Sequence, residues 1–187
     1  MNVFASLNCI IYKTSYISQK GGAIMTRDKI AESIGKYHAT VYRVALGYVK
    51  NTHDADDITQ DVFFKLYRHN KDFVSDEAQK AWLIRVAVNE SKNLLKSAWF
   101  RKRADLDESL AAPENDNAWV YEYVQKLKPK YRTVVYLHYY EKYTAKEIAA
   151  ILGKPQSTIE SQMRRSKEQL RKLLTDDGIK EECCYEF

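Results

Sequence analysis

The sequence predicts an all-α protein made of two small helical domains joined by a flexible acidic linker, and three observations carry that prediction. Apolar residues recur at helical spacing through most of the chain, which is the mark of helices that bury one face. Only three prolines and six glycines interrupt 187 residues. Two basic segments flank an acidic one: Lys92–Arg103 holds five basic residues and no acid, Lys154–Leu174 holds six against two glutamates, and Ala104–Val120 holds five acids with no Lys or Arg. The 45% hydrophobic content suffices for real cores.

Residues 1–24, "MNVFASLNCIIYKTSYISQKGGAI", show no sustained period and are expected to be a disordered extension. A purine-rich AAA-GGA-GG tract can encode Lys20-Gly21-Gly22, so the native start is expected at Met25. From there a first domain over 25–103 is predicted to contain helices over Thr26–Tyr48, Asp54–His69 and Ser75–Phe100. The first two are separated by "VKNTHD", with Asn51 and Thr52 as cap or turn formers.

The stretch "AWLIRVAVNESKNLLKSAWFRKR", Ala81–Arg103, sets a nearly apolar half before a basic one. Wound as a helix, it places Arg85, Asn89, Lys92, Asn93 and Lys96 along one polar ridge at three- and four-residue steps. Ile84, Ala87, Val88, Leu94 and Leu95 then face a core. Amides beside cations can contact phosphates and hydrogen-bond to bases, while Trp82, Trp99 and Phe100 are of a type to stack on bases that leave the duplex. Tryptophan on a helix more commonly packs in a core, which is the alternative use of these residues.

Residues 104–118 form the linker, with Pro113 and an Asn-Asp-Asn run. The second domain, 119–176, should begin with helices over Trp119–Leu127 and Pro129–Tyr140, Pro129 sitting in a favourable first turn. "TAKEIAAILGKPQSTIESQMRRSKEQLRKLL" then opens with a capping-box pair, Thr144 and Glu147, and stops a helix at Gly153. A longer helix starting near Ser157, again three residues before a glutamate, buries Ile159, Met163, Leu170 and Leu173. Short helix, glycine turn and basic helix match a helix-turn-helix, whose second helix enters the major groove. Its outward positions are expected to be Glu160, Ser161, Gln162, Arg164 and Arg165, within reach of base edges or phosphates. A helical hairpin with a solvated basic face is the alternative account of the same pattern. Residues 177–187 are a frayed acidic tail on this reading.

The net charge of +5 and pI near 8.9 fit a polyanionic partner. Cys9, Cys183 and Cys184 suit neither a disulfide framework nor a zinc site, so a reducing cytoplasm is the expected setting. No apolar run reaches bilayer length, and the N-terminus lacks a secretory pattern. No cofactor, metal or small-molecule substrate is expected.

In three blocks the chain resembles the extracytoplasmic-function sigma factors of bacterial RNA polymerase, within the sigma-70 family. The blocks are "DADDITQDVFFKLYRH" at 54–69, "WLIRVAVNESKNLLKS" at 82–97 and "LKPKYRTVVYLHYYEKYTAKEIAAILGKPQSTIESQMRRSKEQLRKLL" at 127–174. The resemblance implies that the protein is not an enzyme but directs core RNA polymerase to promoters and assists strand opening. It implies that Asp57, Gln60, Asp61 and Phe63 meet the clamp helices of the beta-prime subunit. Asn89, Lys92, Asn93 and Lys96, with Arg85 on the same ridge, would meet the minus-ten element. Thr158, Glu160, Ser161, Gln162, Arg164 and Arg165 would meet the minus-thirty-five element, beside contact with the beta flap. An anti-sigma factor is a further partner that the resemblance admits.

The acidity of the first block independently points to a basic protein partner rather than DNA, although Asp54 and Asp56 also suit a helix N-terminus. The chain departs from the family pattern at Lys128, where leucine usually precedes the proline, and at Glu160 and Gln162, often basic. Two other classes fit parts of the sequence. A metal-dependent phosphohydrolase would use "HDADD" with His38 and His69, but no later His-Asp arrangement completes its site. A helix-turn-helix regulator acting without polymerase would leave the Asn/Lys ridge without a role.

Overall fold

The computed structural model describes residues 27–69, 73–97 and 118–178. The expected N-terminal extension with Met25, nearly all of the acidic linker, Trp99, Phe100, all three cysteines and most of the C-terminal tail lie outside them. The chain divides into two compact units, Met1–Leu106 and Asp107–Phe187. Every regular element among the described residues is helical.

The N-terminal unit packs α1 (Arg27–Val49), α2 (Thr52–Arg68) and α3 (Asp76–Lys96) against one another. Lys50, in the left-handed region at φ 58°, turns the chain out of α1. Asn51 then caps α2, its Oδ1 accepting from the Asp54 N–H at 3.0 Å while its Nδ2 donates to Asp54 Oδ2 at 2.6 Å. Ser75 caps α3 by accepting from Ala78 N–H at 3.2 Å. Ile34, Val41, Val62, Phe63, Leu66, Leu83, Ile84 and Val88 fill the interior. Three polar ties lock α1 to the start of α3: the Lys36–Asp76 ion pair, Tyr37 Oη donating to Asp76 O at 3.2 Å, and Gln79 Nε2 donating to Ser33 Oγ at 3.0 Å.

α3 is shorter than its sequence pattern predicts. It ends at Lys96, where the Ser97 N–H and hydroxyl both turn back onto Leu94 O, and 98–100 lie outside the described residues.

The C-terminal unit comprises α4 (Ala118–Lys126), α5 (Pro129–Val135), α6 (Ala145–Leu152) and α7 (Gln156–Asp176). Val124, Leu127, Tyr131, Val135 and Leu170 form a core cluster, and Leu137, Ile148 and Ile159 are fully buried. The helix expected to run unbroken to Tyr140 changes pitch instead: after Val135 it widens into a π turn over Tyr136–Tyr140. There Tyr136 stacks on Tyr140 at 5.5 Å and donates to Glu141 Oε1 at 2.6 Å, contacts that hold the rare turn.

Thr144 and Glu147 form the expected capping box, and Gly153 ends α6 at φ 62°, a conformation glycine takes without Cβ strain. The second capping box, Ser157 with Glu160, does not form. Pro155 occupies the N-cap of α7, so the helix starts one residue earlier, and Glu160 accepts from Gln156 Nε2 at 2.8 Å. No helix among the described residues is long and apolar enough to cross a membrane.

Candidate nucleic-acid interface

The ridge on α3 forms as its spacing predicts. Arg85, Asn89, Asn93 and Lys96 are exposed and Lys92 is half-buried, while Ile84, Ala87 and Val88 are buried beneath them. Leu94 and Leu95 are only half-buried. Ser91, inside the helix, is fully buried because its Oγ donates to Ala87 O at 2.7 Å. The amides and cations therefore rise from a helix whose opposite face is pinned by the core.

Trp82 joins an aromatic cluster with His69 and Phe73, at the start of α3. The ring centroids lie 4.8 Å from Trp82 to His69, 5.6 Å from Trp82 to Phe73 and 4.9 Å between His69 and Phe73. All three are half-buried, so each keeps part of its ring available. His69 ends the predicted second helix and Phe73 lies between predicted helices, so no helical period could join either to Trp82.

On α2, Asp57 and Asp61 are exposed and Gln60 is half-buried. Asp54 is 3% exposed and serves the α2 cap, a structural role that accounts for its place in the acidic block. Phe63, expected to pack beside Asp57, Gln60 and Asp61, is 0% exposed and lies inside the three-helix core. Its ring lies parallel to His38 at 6.3 Å, and His38 in turn stacks on Tyr42 at 6.2 Å. Burial lowers the His38 pKa, with the nearby Asp56 charge acting in the opposite direction.

His53, Asp54 and Asp57 bring ligand-type atoms within 4.8 Å of one another. The histidines that a hydrolase would need are placed otherwise: His38 in the stack with Phe63, and His69 in the cluster with Trp82. His53 and Asp54 also sit on the first turn of α2, with Asp57 one turn on, at the helix end where the dipole disfavours a cation.

In the C-terminal unit, Glu160, Ser161, Arg164 and Arg165 are exposed on α7, and Thr158 is half-buried. Gln162 corrects the expected outward face. Predicted to face outward, it is only 9% exposed, and its Oε1 has no hydrogen-bond partner among the described residues. It occupies the inward stripe Ile159–Gln162–Ser166–Leu170–Leu174, all buried. Met163 and Leu173, expected to be buried, lie at the edge of that stripe and are half-buried.

Arg164 pairs with Glu168 at 2.7 Å, one turn along. Arg165 is exposed on the same helix, and on α5 Lys130 Nζ lies 4.8 Å from the centre of the Tyr131 ring. The bare arrangement is two exposed, donor-rich helix faces, one in each unit, each backed by a rigid apolar core. Such faces suit phosphate contact and base-edge hydrogen bonding.

Comparison with known proteins gives the same division. A family model described as Sigma-70 region 2 matches residues 34–101, and one described as Sigma-70, region 4 matches residues 117–170. Among curated proteins, the ECF RNA polymerase sigma factor SigW of Bacillus subtilis is 26% identical, over 80% of this chain and 91% of its own length. The RNA polymerase sigma-H factor of Pseudomonas aeruginosa is 28% identical over 74% of this chain and 82% of its own. Two solved structures share the fold, each at 20% identity. One is the sigma factor RpoE bound to the anti-sigma factor NepR from Bartonella quintana, with a TM-score of 0.63, covering 79% of this chain and 97% of that one. The other is CnrH bound to the cytosolic domain of CnrY, with a TM-score of 0.60, covering 92% and 99%.

Proposed function

The chain belongs to the sigma-70 family as an extracytoplasmic-function sigma factor that directs RNA polymerase to promoters, and on that premise we propose which residues carry each step. The α3 ridge of Arg85, Asn89, Lys92, Asn93 and Lys96 takes the minus-ten element. Thr158, Glu160, Ser161, Arg164 and Arg165 on α7 take the minus-thirty-five element. Asp57, Gln60 and Asp61 on α2 meet a basic surface of core polymerase. The functional units are 25–103 and 119–176, tethered by 104–118.

One observation carries this reading: the exposed amide and cation ridge on α3 occurs in the same chain as an exposed basic helix following a glycine turn. A regulator acting without polymerase has no use for the first of these. The mechanism involves no bond chemistry. Each unit binds DNA modestly, and fixing both on core polymerase raises the effective concentration of the second once the first has bound. Strand opening is driven by capturing unstacked minus-ten bases, at a cost of a few kcal/mol per base that is lowest where pairing is weakest.

The working place is the cytoplasm, where polymerase and promoter are found. An anti-sigma factor is a further proposed partner: of the two solved neighbours, RpoE is in complex with the anti-sigma factor NepR and CnrH with the cytosolic domain of CnrY.

The test is run-off transcription and permanganate footprinting with core polymerase. Asn89→Ala should impair opening more than recruitment, and Arg165→Ala should weaken promoter binding and flatten its salt dependence. Absence of any association between this chain and core polymerase would sink the reading.

A further inference from the structure

Within the first two turns of α7 the only acid is Glu160, and the helix itself makes little use of it. Its side chain is exposed, turned away from the buried stripe of Ile159, Gln162 and Ser166. It does not cap the helix, because Pro155 holds the N-cap and no side-chain cap bond forms there. Arg164, the cation one turn on, pairs instead with Glu168 at 2.7 Å. Among the described residues the one partner of Glu160 is Gln156, exposed a turn earlier, whose Nε2 donates to Glu160 Oε1 at 2.8 Å.

That bond limits how the carboxylate swings, since side chains four residues apart support one another along a helix face. It also occupies Oε1 and leaves Oε2 to accept. An ionised carboxylate only accepts hydrogen bonds. Beside a duplex it is repelled by phosphates, and on base edges by the guanine N7 and O6 and the thymine O4. Two donors remain in the major groove, cytosine N4 and adenine N6. Adenine sets its own N7 acceptor next to that amino group, against the carboxylate, whereas the cytosine edge carries the amino donor without an acceptor of its own. The chemistry favours one base.

We propose that Glu160 accepts from the N4 amino group of a cytosine in the minus-thirty-five element, with Gln156 as the positioning residue that holds its other oxygen. The proposal rests on α7 entering the major groove at that element. It makes Glu160 a determinant of specificity more than of affinity, because an acid on this face weakens phosphate attraction everywhere and gains a hydrogen bond over one base only. Ser161 and Arg164, on the same exposed face, keep donors for the neighbouring positions.

The test uses polymerase reconstituted with the full chain and selection from duplexes randomised across the minus-thirty-five element. The position at which Glu160→Gln changes the selected base is the one the side chain reads. Wild type should favour cytosine there about tenfold. Glu160→Gln should lose that preference and turn toward adenine, whose N6 and N7 suit a glutamine amide, with other positions and the unfolding temperature unchanged. On duplexes without the cytosine it should bind as tightly as wild type or more tightly, since a charge that repels phosphate is gone. Gln156→Ala should narrow the cytosine preference without substituting another base; a full preference in that variant overturns its positioning role. Pyrimidin-2-one in place of the cytosine removes only the exocyclic amino group, and should cost wild type about tenfold more affinity than it costs Glu160→Gln.

Equal losses with that analogue would overturn the contact. So would an unchanged selection profile in Glu160→Gln, which would return Glu160 to a solvated surface while a weakened Arg165→Ala still upheld the promoter reading of α7. Adenine at the wild-type position, or a Glu160→Gln loss equal on all sequences, would also overturn it. Failure of the wild-type holoenzyme to bind any promoter would remove both the contact and the function it rests on.

Discussion

Lys65 on α2 and Glu90 on α3 meet at 2.5 Å, with the lysine side chain 45% and the glutamate side chain 24% exposed. The pair matters because Glu90 follows Asn89 directly and is the one acid within the ridge. Unpaired, its carboxylate would repel a nearby phosphate. Lys65→Met is therefore predicted to lower stability by only about 0.2–1 kcal/mol, and to impair promoter opening by more than that loss explains. Adding Glu90→Gln should restore opening. Urea unfolding and permanganate footprinting on the same proteins separate the two effects; an unrestored double variant contradicts the account.

Phe63 is predicted to behave as a core residue and not as an interface residue. Phe63→Ala should cost about 3–5 kcal/mol through the cavity it leaves, and polymerase binding should fail only as the unit unfolds. Asp57→Ala and Asp61→Ala, on exposed positions of the same helix, should change stability by less than about 0.5 kcal/mol and weaken association with core polymerase. A fluorescence-polarisation titration beside an unfolding curve checks both.

Gln162 buries an amide oxygen that has no hydrogen-bond partner among the described residues. Such a group costs about 1–3 kcal/mol, and a similarly shaped apolar side chain removes the cost. Gln162→Met should therefore leave the chain as stable or more stable. It should also leave minus-thirty-five sequence preference unchanged, since the side chain does not reach the surface of α7. A shifted preference in a selection over promoter variants would return Gln162 to the reading face.

Asp177 follows the end of α7 and is held by the Tyr123 hydroxyl and by Lys126 Nζ at 3.4 Å. The Tyr123 hydrogen bond first, and the Lys126 charge with it, depress its carboxyl below the ordinary value of 3.8. A depressed carboxyl stabilises the fold above its unfolded value, and the contribution is lost as pH falls through the lowered one. Asp177→Asn should thus melt below wild type from about pH 5 to 7, the gap closing as pH drops under about 4. Thermal unfolding across that range is the measurement; a gap that persists in acid contradicts it.

Much of the fold was legible because its signals are local. Asn51, Thr144 with Glu147, Pro129 and Gly153 act within four residues of their own positions, so helix ends could be read from neighbours in the chain. The α3 ridge was legible for the same reason: a 3.6-residue period orients Asn89 and Lys96 whatever packs behind them. Gln162 marks a failure of weighting. Its spacing from Ile159 and Ser166 was that of a buried stripe, but its polar character argued for the surface and was wrong.

The sequence alone determined the helices, the two-unit charge pattern and the family to which they belong, since periodicity, caps and motif order are properties of contiguous residues. Only the tertiary structure decided that Phe63 faces inward beside His38 and that Lys65 pairs with Glu90. A helical period gives each side chain an angle around its own axis. Which neighbour it meets at that angle depends on how separate helices pack, and that information is shared between residues tens of positions apart.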